Sequence, residues 1–347
     1  MKCEAEVKDK NLSSQWEETD FDDCPFDIEE RELEKYEEEM FRHETLSDPR
    51  LIYEFLKTKV YHQDEAAKAV AICLYNHVHG IPNSAVFVGP PGSGKTLLWQ
   101  TVRDYLYDAV YICDASSMTK SGFTGQNKIC TPLREINIQK HDHTPYIIVF
   151  DEADKMMTPS FTRDRENVSA SVQSELLTLL QPSFKYYMYK TEMDTRYVNL
   201  ETISWIFTGS FAVAAKNEAN KASSIGLGFG AERKQVKAFE NELTIQNLID
   251  FGMIPEVASR IGRIVNIHPL SIDDYKYLLT SHDASPVKKL EKTYGLETGF
   301  INQHVLSANE LTNIAENAYN SGLGVRATTS AIQCQLDNYL FEHFDEL

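Results

Sequence analysis

The stretch VGPPGSGKT, Val88 to Thr96, decides the reading of this 347-residue chain. It follows the apolar run SAVFVG and opens a helical pattern, the context that a G-x-x-x-x-G-K-[ST] motif requires. Its glycines, Gly89, Gly92 and Gly94, let backbone N–H groups approach phosphate closely. Lys95 is placed to reach the β- and γ-phosphates and Thr96 to offer its hydroxyl to Mg²⁺. The N-terminus of the following helix adds a favourable dipole. Gly89, Pro90, Pro91, Gly92, Ser93, Gly94, Lys95, Thr96 and Leu97 are therefore the expected nucleotide cradle, with ATP and Mg²⁺ as its ligands.

A second apolar run, YIIVFDEADK, ends in Asp151 and Glu152. A carboxylate at a strand end can hold Mg²⁺ through its water shell, so Asp151 joins Thr96 as a candidate metal contact. A second carboxylate one residue on, Glu152, can polarise an attacking water. Together the two motifs point to ATP hydrolysis rather than binding alone. Thr208 lies near the C-terminal end of the run ISWIFTGS, where a hydroxyl could orient water; it also fits an ordinary strand-terminal threonine. Arg260 and Arg326 are candidate γ-phosphate ligands, although an arginine on a helix is normally solvated or salt-bridged.

Working outward, four short β-rich runs alternate with helical patterns: SAVFVG, AVYICDA, YIIVFDEAD and ISWIFTGS. Each is apolar nearly throughout, as expected when helices cover both faces of a parallel sheet. From about Asn266 strands fade, and SIDDYKYLLTS and SANELTNIAENAYNSG read as helices with serine near their starts. The expected architecture is an α/β large domain at 49–265 and a small, mainly helical domain at 266–347. Residues 1–48 carry 18 Asp and Glu against 6 Lys and Arg, a net −12 of the chain's −18. That segment reads as a solubilising acidic tail, or as a helix at DIEERELEKYEEEMFRHE with an apolar stripe for a partner.

A chain this acidic repels a phosphate backbone, which argues against general nucleic-acid binding. No run of about 18 apolar residues suggests a membrane span, and the N-terminal residues lack a signal-peptide pattern, so a cytoplasmic address is expected. Six cysteines, scattered without CxxC pairs, read as reduced thiols rather than a zinc or disulfide framework.

These motifs resemble the AAA+ ATPases, and within them the ClpX-type unfoldases, from about Val60 to the C-terminus. VYHQDEAAKAVAICLYNH is similar to the family's segment before the phosphate loop, whose first residues touch adenine; that places Val60 and Tyr61 there. FGMIPEVASRIGR resembles the box around the arginine finger, which falls on Arg260, and IAENAYNSGLGVR places the sensor-2 arginine on Arg326. Thr208 matches sensor 1. The resemblance implies a ring of six with nucleotide between neighbours, Arg260 acting on the next subunit and Arg326 coupling nucleotide to hinge rotation.

The resemblance also supplies loops. TKSGFTGQNK matches the first pore loop, so Gly122, Phe123, Thr124 and Gly125 would grip a translocating polypeptide, with Phe123 for the usual Tyr and Thr124 for the usual aliphatic residue. SFTRDRENVSASVQ, about two residues longer than the family pattern, resembles the second pore loop, with Arg163 and Arg165 facing the channel. SSIGLGFGAERK resembles the loop that docks on a ClpP-like peptidase, with Leu227, Gly228 and Phe229 as the apolar tripeptide. Two departures stand out. Residues 1–48 show no match to the family's zinc-binding domain, and its basic Arg-Lys-His loop is not recognisable in KYYMYKTEMDTR. The implied function is ATP-driven unfolding of unfolded or tagged protein substrates for a peptidase. A peptidase-independent remodelling chaperone, a DNA-acting AAA+ ATPase and a nucleotide-bound scaffold are the alternatives.

Overall fold

The computed structural model describes residues 25–119, 127–139, 145–161, 165, 167–180, 185–190, 195–224, 238–282, 285–322 and 324–343. The expected site residues Gly122, Phe123, Thr124, Gly125, Arg163, Leu227, Gly228 and Phe229 lie outside them. Two compact units divide the chain, Met1–His43 and Glu44–Leu347. The described part of the first is most of helix α1, Pro25–Leu46, in which Leu33, Tyr36 and Met40 are exposed.

The second unit begins with α2 (Pro49–Lys59) and α3 (Asp64–Val78). Asp48 caps α2 by accepting from Arg50 N, with proline at the first helical turn. The main sheet comprises β1 (Ser84–Val88), β2 (Val110–Asp114), β5 (Ile147–Asp151), β8 (Ser204–Gly209) and β9 (Ile264–Asn266), in the order β2-β5-β8-β1-β9, all parallel. Two small ribbons stand apart: β3 (Met118–Thr119) with β4 (Asn127–Lys128), and the hairpin β6 (Tyr186–Lys190) with β7 (Thr195–Asn199).

Alternation along the strands explains why they read as apolar throughout. In β1, β5 and β8, Val86, Val88, Ile148, Phe150, Trp205 and Phe207 enter one core. Ala85, Phe87, Ile147, Val149 and Ile206 enter the opposite one. Helices α2, α3 and α4 (Lys95–Thr101) close the second face with Ile52, Leu56, Val70, Leu74, Leu98 and Trp99. The first face is closed from α5 (Thr131–Gln139), α6 (Ala153–Met157), α7 (Val168–Leu180), α8 (Ala212–Ser224), α9 (Ile245–Phe251) and α10 (Pro255–Ile261). Each of these fully buried large side chains contributes ~1.5–3 kcal/mol relative to exposure.

The sequence offers four strands for this sheet, and the structure adds a fifth. β9 has three residues, too few for a periodic signal, yet it pairs Val86, Phe87 and Val88 with Ile264, Val265 and Asn266. Beyond it a third core forms around Leu270, Leu279, Ile301, Ala315, Ile332 and Leu336. Its helices are α11 (Ile272–Thr280), α12 (Pro286–Tyr294), α13 (Ala308–Ser321) and α14 (Val325–Glu342). The serines at two of these starts are capping boxes, Ser271 with Asp274 and Ser307 with Glu310. The α/β unit and the helical unit therefore meet between Ile267, which belongs to a sheet core, and Leu270.

Candidate active site

The nucleotide loop leaves the C-terminal end of β1, the end at which open parallel sheets bind ligands. Gly92 and Gly94 adopt φ values of 70° and 91°, which the turn requires. A Cβ built on Gly94 would stand 3.2 Å from Val60 Cγ1, so Val60, itself buried, lies directly against the loop. Lys95 is 8% exposed, and its Nζ donates to Gly89 O at 2.8 Å and Pro90 O at 2.7 Å. Burial pushes the Lys95 ammonium down to about 8; the Asp151 and Asp154 carboxylates oppose that shift and the Arg326 guanidinium adds to it.

Asp151 ends β5, one strand away from β1 across β8. Its Oδ2 accepts from Thr96 Oγ1 at 2.8 Å, while its Oδ1 accepts from Thr208 Oγ1 and from Glu152 N at 3.1 Å. The first turn of α4 and the ends of β5 and β8 thus converge on one carboxylate. A hydroxyl and a carboxylate side by side fit a hard divalent cation that takes its other ligands from phosphate and water. Glu152 is exposed and left-handed, with φ 55° and ψ 35°, and it caps α6. That conformation costs on the order of 1–3 kcal/mol in a non-glycine residue and turns the chain from strand to helix in one step.

Asp154, which the sequence reading passed over, is 5% exposed. It accepts from Ser210 Oγ at 3.0 Å on Oδ2 and from Ser210 N at 3.3 Å on Oδ1. Only its place in DEADK next to the expected acid pair could have marked it.

The helical unit also reaches the loop. Gly324, the N-cap of α14, has φ 73°, and a Cβ there would stand 2.5 Å from Gly92 Cα and 2.7 Å from Pro91 O. Arg326 follows two residues on, exposed, with its charge felt at Lys95. Tyr61 packs on Tyr277 at 4.7 Å and His282 at 5.5 Å between ring centroids, so this residue joins the α/β part of the second unit to its helical lid. Beside it His62, at φ 61°, places Nδ1 3.4 Å from Asp274 Oδ1. Neither contact was visible in the sequence, since each links residues more than 200 apart.

The remaining expected residues fall elsewhere. Leu97 is 44% exposed on α4. Arg260 stands half-exposed on α10, with Nη1 donating to Glu256 O at 2.7 Å one turn back. Arg165 is exposed at φ 64°, in the loop closed by the Phe161–Asn167 bridge.

A cradle of this geometry on a parallel sheet of order β2-β5-β8-β1-β9, with a helical lid, defines an AAA+ ATPase. Residues 85–207 match the model of the ATPase family associated with various cellular activities (AAA). The chain is an ATPase that binds ATP and is similar to ClpX proteins over most of its length. It is 25% identical over 333 residues to the ATP-dependent Clp protease ATP-binding subunit ClpX of Treponema denticola, covering 87% of this chain and 78% of the relative. It is 26% identical over 349 residues to the ClpX of Porphyromonas gingivalis (89% and 82%), and 27% identical over 325 residues to that of Bacteroides fragilis (86% and 77%). Among the described residues no helix is long and apolar enough to cross a membrane.

Proposed function

We propose that this ATPase is an unfoldase subunit that works in a ring of six. The observation that carries the reading is the extent of the similarity to ClpX proteins, which spans both the α/β unit and the helical lid. Lys95 and the loop N–H groups bind the phosphates, and Val60 and Tyr61 border the base. Thr96 and Asp151, the latter through water, would hold Mg²⁺, which supplies charge neutralisation at the phosphates when bound. Glu152 polarises the attacking water, Thr208 orients it, and Arg326 reports the nucleotide state to the lid. Arg260 reaches the γ-phosphate of the neighbouring subunit, an effect that accelerates such reactions by roughly 10³–10⁵-fold.

Hydrolysis then drives polypeptide through the pore by Gly122, Phe123, Thr124 and Gly125, with Arg163 and Arg165 as second contacts. Leu227, Gly228 and Phe229 dock a ClpP-like peptidase. Mass spectrometry of proteins captured by the Glu152→Gln variant should report substrates and peptidase together. A captured protein then serves as substrate for Phe123→Ala, which should hydrolyse ATP normally and fail to unfold it. Unfolding at the wild-type rate would remove Phe123 from the pore.

A further inference from the structure

The Asp154–Ser210 contact has no part in the chemistry above, and it lies where two of that chemistry's residues have to be registered. Asp154 follows Glu152 by two positions on the same turn, and Ser210 follows Thr208 by two positions past the end of β8. The Asp154 carboxylate takes both the hydroxyl and the backbone N–H of Ser210, one on each oxygen. Between them Gly209 leaves no room: a Cβ there would stand 2.8 Å from Asp154 Oδ1, 3.0 Å from Asp154 N and 2.8 Å from Phe211 Cε2. Two left-handed non-glycine residues flank the contact, Glu152 at φ 55° and the fully buried Phe211 at φ 48°. Such conformations persist where the surroundings over-determine them.

We propose that Asp154, gripped by Ser210, is a positioning residue for hydrolysis that locks the Glu152 turn in register with the strand end carrying Thr208. This rests on Glu152 acting as the base. The carboxylate is 5% exposed and both of its oxygens are engaged by Ser210. One side chain therefore sets the aim of the turn.

The test is steady-state ATP hydrolysis by Ser210→Ala, Ser210→Thr, Asp154→Asn and Glu152→Gln. Ser210→Ala removes one hydroxyl and leaves the fold intact. Its kcat should fall ~10- to 100-fold, the loss that a misplacement of about 1 Å brings, with KM for ATP within about threefold of wild type. Ser210→Thr, which keeps the hydroxyl, should restore kcat. Asp154→Asn, which weakens acceptance from the Ser210 hydroxyl and N–H, should lose kcat at least as far as Ser210→Ala, again with KM for ATP little changed. Turnover by Ser210→Ala within twofold of wild type overturns the proposal. A kcat loss matched by a KM rise, and shared by Ser210→Thr, overturns it too. Normal hydrolysis by Glu152→Gln removes the base itself; an inactive Glu152→Gln beside a normal Ser210→Ala removes only the role of Asp154.

Discussion

If Lys95 binds the phosphates as proposed, ATP binding should be a proton-linked event. In the nucleotide-free protein its ammonium is buried, with a pKa of about 8 against the 10.5 of an ordinary lysine. Phosphate oxygens beside it favour the charged form, so binding must reprotonate every site that has lost its proton. At pH 9 about a tenth of free sites carry the proton, and ATP affinity should be ~10-fold weaker than at pH 7, a difference of about 1.4 kcal/mol. The nucleotide's own terminal phosphate loses its last proton near pH 6, so it adds nothing above about pH 7.5. Titration calorimetry with a non-hydrolysable ATP analogue, in two buffers of different ionisation heat, should read an uptake of about half a proton per site at pH 8. Lys95→Met should bind weakly at every pH and show no uptake. Affinity that stays flat from pH 7 to 9.5, with no buffer-dependent heat, would refute the reasoning. The same shift acts on stability with a definite sign. Between pH 8 and 10 the unfolded chain keeps a proton that the folded chain has released, so this group's contribution rises with pH by up to ~3 kcal/mol. Below pH 8 burying the charge is a standing cost.

Two further outcomes follow from the geometry. Gly324→Ala adds a Cβ 2.5 Å from Gly92 Cα at a φ of 73°, so the lid must retreat from the nucleotide loop. The protein should remain folded, with ATP affinity reduced by roughly 5- to 150-fold, the range for a coupling loss of about 1–3 kcal/mol; wild-type affinity by calorimetry would show the contact to be incidental. Arg260→Ala should bind ATP normally and not hydrolyse it. Mixed with Glu152→Gln, which is defective at the base, it should recover part of the activity, because some interfaces then pair an intact finger with an intact base. No recovery in the mixture would place Arg260 outside a shared site.

What was legible in the sequence was what is written locally. VGPPGSGKT and VFDEADK are written in consecutive residues, and Thr96, Asp151 and Thr208 meet because the start of α4 lies beside the ends of β5 and β8. The two-faced sheet was equally plain, since each strand buries both of its alternating sides. β9 escaped because its strand character comes from pairing with β1 rather than from a pattern of its own. Asp154 escaped because its partner lies 56 residues away, and the packing of Tyr61 on Tyr277 and His282 because those residues belong to the helical lid. KYYMYKTEMDTR showed no basic loop, and it runs through a hairpin whose Tyr187 and Val198 pack on the sheet core while Tyr186, Met188 and Tyr197 face outward. Tertiary contacts decided each of these.

Phosphate release by the wild-type protein and by Glu152→Gln, with ATP binding followed in parallel, tests the central claim most directly. Wild type should turn over. Glu152→Gln should bind ATP within a few-fold of wild type while its turnover falls ~10²- to 10⁴-fold, as loss of a general base requires. Hydrolysis by Glu152→Gln at the wild-type rate, or a wild-type protein that binds no ATP, would contradict the account.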